Sequence, residues 1–105
     1  MRSFEFKNKN LEVNINGTIY TIYITDNLGD TMQDFSKKMS AMSDDIKKKK
    51  KNNIDAIKML KGIIDNLLGE NAFDNIFKDR EETKIMDCTD LFMFLVDEIK
   101  EFNAK

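Results

Sequence analysis

Apolar and polar residues alternate with period two through the first 25 positions, and from about Asp26 the period becomes helical. Asn16-Gly17 separates two alternating runs, a strong short signal for a two-residue hairpin turn. Such a turn pairs Ile15 with Thr18, Val13 with Tyr20 and Leu11 with Ile22. Leu11, Val13, Ile15, Tyr20, Ile22 and Ile24 then share one face, and Glu12, Asn14, Thr21 and Tyr23 share the other. Phe4 and Phe6 continue the alternation and predict a preceding strand, with Asn8, Lys9 and Asn10 as its turn. A lone hairpin is marginal in water, so its apolar face predicts a covering layer of helices.

Leu28, Met32, Phe35, Met39, Met42 and Ile46 step by four and three residues in turn, the spacing of a helix packing along a narrow seam. Asp30 with Gln33 resembles a capping box, and Asp26 is an equally good start. Lys47 to Lys51, Asn52 and Asn53 follow; the seam then resumes at Ile57, Leu60, Ile64 and Leu67, and Gly69 is a C-cap candidate. Two readings fit residues 26–68. One is a continuous helix, supported by the i,i+4 pairs Asp44–Lys48, Asp45–Lys49 and Lys51–Asp55, which at 1.5 Å per residue would reach roughly 60 Å and require a partner. The other is two helices, with Asn53 capping the second.

Beyond Gly69, Ala72, Phe73, Ile76 and Phe77 predict a short amphipathic helix within Glu70 to Phe77, and Asp79 to Thr83 a charged loop. Asp87 and Asp90 mark a cap-like start for a last helix from about Cys88 to Asn103. Its inward stripe is Cys88, Leu91, Phe92, Leu95, Val96, Ile99 and Phe102, while Met93 and Phe94 project away from it. That leftover apolar surface predicts self-association into a homo-oligomer. The fold class is α+β and mostly helical: one domain over 1–105, with a hairpin region at 1–25 and three to four helices in 26–105.

Composition narrows the chemistry. With 105 residues, 41% hydrophobic and 34% charged, the chain has the material for one core. Lys and Arg number 17 against 19 Asp and Glu, a balance that selects no nucleic acid. With no His and one Cys, imidazole-based triads, Cys-His dyads and closed zinc sites are excluded. Cys88 cannot close an intramolecular disulfide, which with the lack of a signal-like or membrane-length apolar run makes a cytoplasmic setting the expectation.

Asp26, Asp30 and Asp34 share a helix face, yet calcium needs more oxygens and a shaped loop, so they read as carboxylates at a helix N-terminus. Glu81–Glu82 and Glu98–Glu101 read as solvated pairs, and the four scattered glycines form no phosphate loop. No catalytic residue, metal or cofactor is expected. Lys47 to Lys51 has no interleaved aromatics for stacking on bases and reads as a solvated face or loop. Cys88 reads as a small core residue. Met32, Met39 and Met42 read first as core filler and only second as a compliant groove for a partner's helix.

The hairpin Val13-Asn-Ile-Asn-Gly-Thr-Ile-Tyr, the segment Ile63-Ile-Asp-Asn-Leu-Leu-Gly-Glu-Asn-Ala-Phe-Asp-Asn-Ile-Phe and Asp90-Leu-Phe-Met-Phe-Leu together resemble small tail assembly chaperones of phages and prophages of Gram-positive bacteria. The likeness spans nearly the whole chain, although Asn71 stands where a second turn glycine is usual and the lysine run is atypical. It implies a non-enzymatic protein of the bacterial host cytoplasm that binds the tape measure protein and shields its hydrophobic helices during tail assembly. The implied partner-binding surface draws on Met32, Phe35, Met39, Met42, Phe73, Phe77, Met93 and Phe94, with affinity little affected by salt. A phage regulatory or inhibitor protein that binds a host protein or nucleic acid through the lysine run is the alternative.

Overall fold

The computed structural model describes residues 2–4 and 10–103. Strands β1 (Asn10–Ile15) and β2 (Thr18–Tyr23) form an antiparallel hairpin, followed by helices α1 (Leu28–Lys47), α2 (Asn53–Leu68), α3 (Ala72–Phe77) and α4 (Ile85–Asn103). The architecture is α+β and mostly helical, as the pattern predicts. The molecule is elongated, 64 × 30 × 20 Å.

The hairpin has the predicted register, with Leu11 opposite Ile22, Val13 opposite Tyr20 and Ile15 opposite Thr18. Asn16 and Gly17 both have positive φ, 54° and 88°, as a type I′ turn demands, and the Asn14 side chain accepts a hydrogen bond from the Gly17 amide at 2.9 Å. Val13 and Ile22 are buried, while Glu12, Asn14 and Tyr23 face outward. Two long-range bonds tie the hairpin to α3: Asn75 Nδ2 donates to Tyr20 Oη at 2.6 Å and Asn16 Nδ2 to the Ile76 carbonyl at 3.4 Å. Of the preceding strand expected from Phe4 and Phe6, Phe6, Asn8 and Lys9 lie outside the described residues; Phe4 is not in a strand and Asn10 belongs to β1.

Residues 26–68 form two helices. The seam stays in phase across the lysine run, but a continuous helix would stack Lys47 on Lys50 and Lys51, an unfavourable neighbourhood of like charges. The chain turns instead through a Schellman motif: Lys49 adopts φ 59°, its amide donates to the Ile46 carbonyl at 3.0 Å, and the Lys50 amide donates to the Asp45 carbonyl at 2.8 Å. Asn52, not Asn53, then caps α2. Its side chain accepts from the Asp55 amide and the Asp55 carboxylate accepts from the Asn52 amide, both at 3.1 Å. The expected pairs Asp44–Lys48, Asp45–Lys49 and Lys51–Asp55 are not formed; among the described residues the ion pairs are Lys61–Asp74 and Arg80–Asp87.

Three further boundaries differ from the sequence reading. Helix α1 begins after Asn27, which makes no side-chain cap bond, so neither Asp26 nor an Asp30–Gln33 box starts it. Helix α4 begins at Ile85, one turn before Cys88, and Asp87 sits in its first turn with Arg80 on its carboxylate at 2.7 Å. Helix α3 begins at Ala72 rather than Glu70, because Gly69 (φ 116°, ψ 162°) and Asn71 (φ 66°) turn the chain through conformations that glycine and asparagine tolerate best. The Asn71 side chain makes no cap bond; Asp65 of α2 serves instead, accepting from the Phe73 amide at 2.8 Å.

The core is wholly apolar among the described residues. Leu60, Ile64, Leu95 and Cys88 are fully buried or nearly so between α2 and α4, and Ile22 reaches them from the hairpin. Phe73 and Phe77 stack at 4.6 Å between ring centroids and close the core under α3. Val13→Asp and Ile22→Asp are each expected to remove at least about 2 kcal/mol of stability, since each puts an unpaired charge in this core; urea unfolding midpoints check it. Lys49→Gly is expected to raise stability by about 1 kcal/mol by relieving a side chain in the left-handed region. The same titration reads it, and an unchanged or lower midpoint would contradict the strain.

Candidate functional site

Helix α1 meets the rest of the molecule through Leu28, Phe35 and Met42, which are buried, with Met32, Met39 and Ile46 half-buried on the same face. Beside this seam, Gly29, Ser36 and Ser43 recur every seven residues and place a line of small side chains along one flank of the helix. Little side-chain volume fills that flank, and two clefts open there. One, of about 400 Å³, is lined by Gly29, Met32, Gln33, Ser36 and Lys37 of α1 and by Val96, Ile99 and Lys100 of α4. The other, of about 360 Å³, is lined by Met39, Met42, Ser43 and Lys47 of α1, Ala56 of α2, and Ile85 and Thr89 of α4. Ile46 belongs to the second cleft and also to a broader, polar hollow of about 620 Å³ under the lysine elbow, walled by Lys49, Lys50, Lys51, Asn52, Asn53 and Ile54.

The eight residues implied as partner-binding therefore separate. Met32, Met39 and Met42 line the clefts. Met93 is 48% exposed and lies three or four positions from Thr89 and Val96, so it extends the apolar surface along α4, as Met86 does from the other side of Thr89. Phe94 is exposed too, but its helical neighbours are Asp90, Leu91, Asp97 and Glu98, away from the clefts. Phe35, Phe73 and Phe77 are in the core, each at most 8% exposed. The sequence reading missed Val96, Ile99, Ile85 and Thr89 as cleft walls. Ile85 fell outside the helix when its start was placed at Cys88, and Thr89, inside it, is polar and off the apolar stripe; the repeat of Gly29, Ser36 and Ser43 beside the methionines was the legible signal.

Cys88 lies at the centre of the core with no exposed surface. Burial, and after it the negative charge of neighbouring Asp87, push its thiol up to about 11. It is packed as a small apolar group of the core. Among the described residues no group of three or more Asp, Glu or Cys side chains is placed to hold a metal ion, and no helix is long and apolar enough to cross a membrane.

A hairpin and short helix closed over a buried α2, with an open apolar seam along α1, define a small α+β protein whose candidate site is the pair of clefts on that seam. The chain belongs to a family of unknown function, DUF6673, whose model matches residues 16–105. No curated protein and no solved structure matches it.

The raised thiol has a signed consequence. Because the folded state favours neutral Cys88, its contribution to stability is fully present below the unfolded value near 9.0 and is lost as pH rises towards about 11. The difference in unfolding free energy between the native chain and Cys88→Ala should shrink over that interval. A pH series of urea titrations measures it, and a constant difference would contradict the shift.

Proposed function

We propose that this chain is a non-enzymatic binding protein that shelters the apolar face of a partner's helix in the α1–α4 seam. The clefts carry this reading. They expose thioethers and aliphatic side chains beside small residues, a lining that can repack around varied apolar side chains. The resemblance to tail assembly chaperones names the partner, the tape measure protein, whose hydrophobic helices would be held until the tail tube is built. The alternative, a regulatory protein that contacts a host protein or nucleic acid through Lys47 to Lys51, draws on the exposure of those lysines.

Filling the clefts tests the site. Ser36→Phe and Ser43→Leu add bulk at positions exposed in the folded chain, so the fold should survive while the clefts close. Co-expressed with a phage tape measure protein, the native chain is expected to keep that partner soluble and the doubly filled variant to lose most of the effect. A partner equally soluble without this chain, or protected equally by the filled variant, overturns the reading. Loss of binding on replacing Lys47 to Lys51 by serine, with the filled variant still active, favours the alternative.

A further inference from the structure

The chain carries slightly more acidic than basic residues, 19 against 17, yet its clefts are lined otherwise. Among the described residues, the charged side chains on the walls of the two clefts are Lys37 and Lys100 in one and Lys47 in the other. Beyond Ile46 and Lys47 the surface continues into the elbow, where Lys49, Lys50 and Lys51 line the hollow. Its one carboxylate, Asp55, is engaged by the backbone of Asn52. None of these lysines takes part in either ion pair found among the described residues. An apolar floor with a rim of unpaired ammonium groups leads into a cationic end.

We propose that the helix held in the α1–α4 seam is acidic: an amphipathic helix of a partner protein whose apolar stripe is flanked by carboxylates, lying along α1 with a carboxylate-rich end against the lysine elbow. This rests on the reading of the seam as a helix-binding site and adds the charge of the occupant. Methionine and aliphatic side chains receive the stripe, and Lys37, Lys47 and Lys100 meet the flanking carboxylates at the cleft edges. A helix flanked by lysines would meet like charge at Lys37, Lys47 and Lys100 and again at the elbow, so the rim discriminates between apolar helices that the floor accepts alike. The expectation of salt-indifferent binding gives way to a salt-dependent one, because rim pairs are exposed and screened.

Two monomeric, stapled helical peptides of about 20 residues, the length of α1, test this with the full chain. They share one Leu and Ile stripe; Glu flanks it in one and Lys in the other. The Glu peptide is expected to bind about tenfold more tightly in low salt, the effect of two or three exposed ion pairs of ordinary strength. The preference should shrink several-fold between about 50 mM and 500 mM salt and shrink several-fold in Lys37→Glu/Lys100→Glu at low salt, with circular dichroism showing that variant folded. Lys37→Arg/Lys100→Arg should keep it. Equal binding of both peptides overturns the acidic partner while leaving the seam as a helix site. Failure of both peptides to bind overturns the seam reading as well. Self-association of the chain that the Glu peptide does not displace, and that Lys37→Glu/Lys100→Glu abolishes, would put a second copy in the seam and overturn the proposal.

Discussion

The structure depends on keeping α2 out of water on nearly every side. Ala56, Leu60, Ile63, Ile64, Leu67 and Leu68 are buried, and the exposed residues past its first turn are Lys58, Gly62 and Asn66, a single strip stepping by four. No one neighbour can cover so much of a helix. Helix α4, the short α3, the hairpin and α1 all contact it, and the order of elements along the chain follows from bringing each of them to that surface. Polar groups are kept to the periphery, where they serve as ties: Asp65 holds the start of α3 and Asn75 holds Tyr20. With an apolar interior and polar locks at its edge, the domain avoids the cost of desolvating charge inside.

The hairpin was fully legible in sequence because two independent signals agreed. The alternation sets which side chains face inward, the Asn16-Gly17 turn sets the register, and a slip of one residue would have put Val13 and Ile22 in water. The helical half was legible in its faces and less so in its ends. Apolar phase runs unbroken from Ile46 to Ile57, so periodicity alone could not separate one helix from two; repulsion within the lysine run and the reciprocal bonds of Asn52 and Asp55 decide it. Asp87 looked like a cap because aspartate suits both the cap and the first turn, and the apolar pair Ile85 and Met86 before it already belongs to α4.

The candidate site was legible by half, for a related reason. Hydrophobic spacing shows that Met32, Phe35, Met39, Met42, Phe73 and Phe77 turn away from water, but a core and a groove demand the same residues. Burial divides them by what lies opposite. Phe73 and Phe77 pack into the core with the hairpin and α2, and the hollow that Phe77 borders beside Ile15 and Asn16 is small, about 180 Å³, whereas Met32, Met39 and Met42 lie beside a flank of α1 where glycine and serine leave the neighbouring helix uncovered. Volume on the facing element is a property of two segments at once, and one segment's periodicity does not contain it.

The same sparse flank makes α1 mechanically distinct. Three of its 20 residues are buried, against six of the 16 in α2, so lifting α1 away exposes far less apolar surface than disrupting α2 and α4. Its connection to the rest is the lysine turn at one end and the short link from the hairpin at the other. Local opening is cheapest where fewest side chains are covered. Helix α1 therefore forms its own cooperative unit at the low end of the molecule's stability, with backbone amides that exchange with solvent ahead of those in α2.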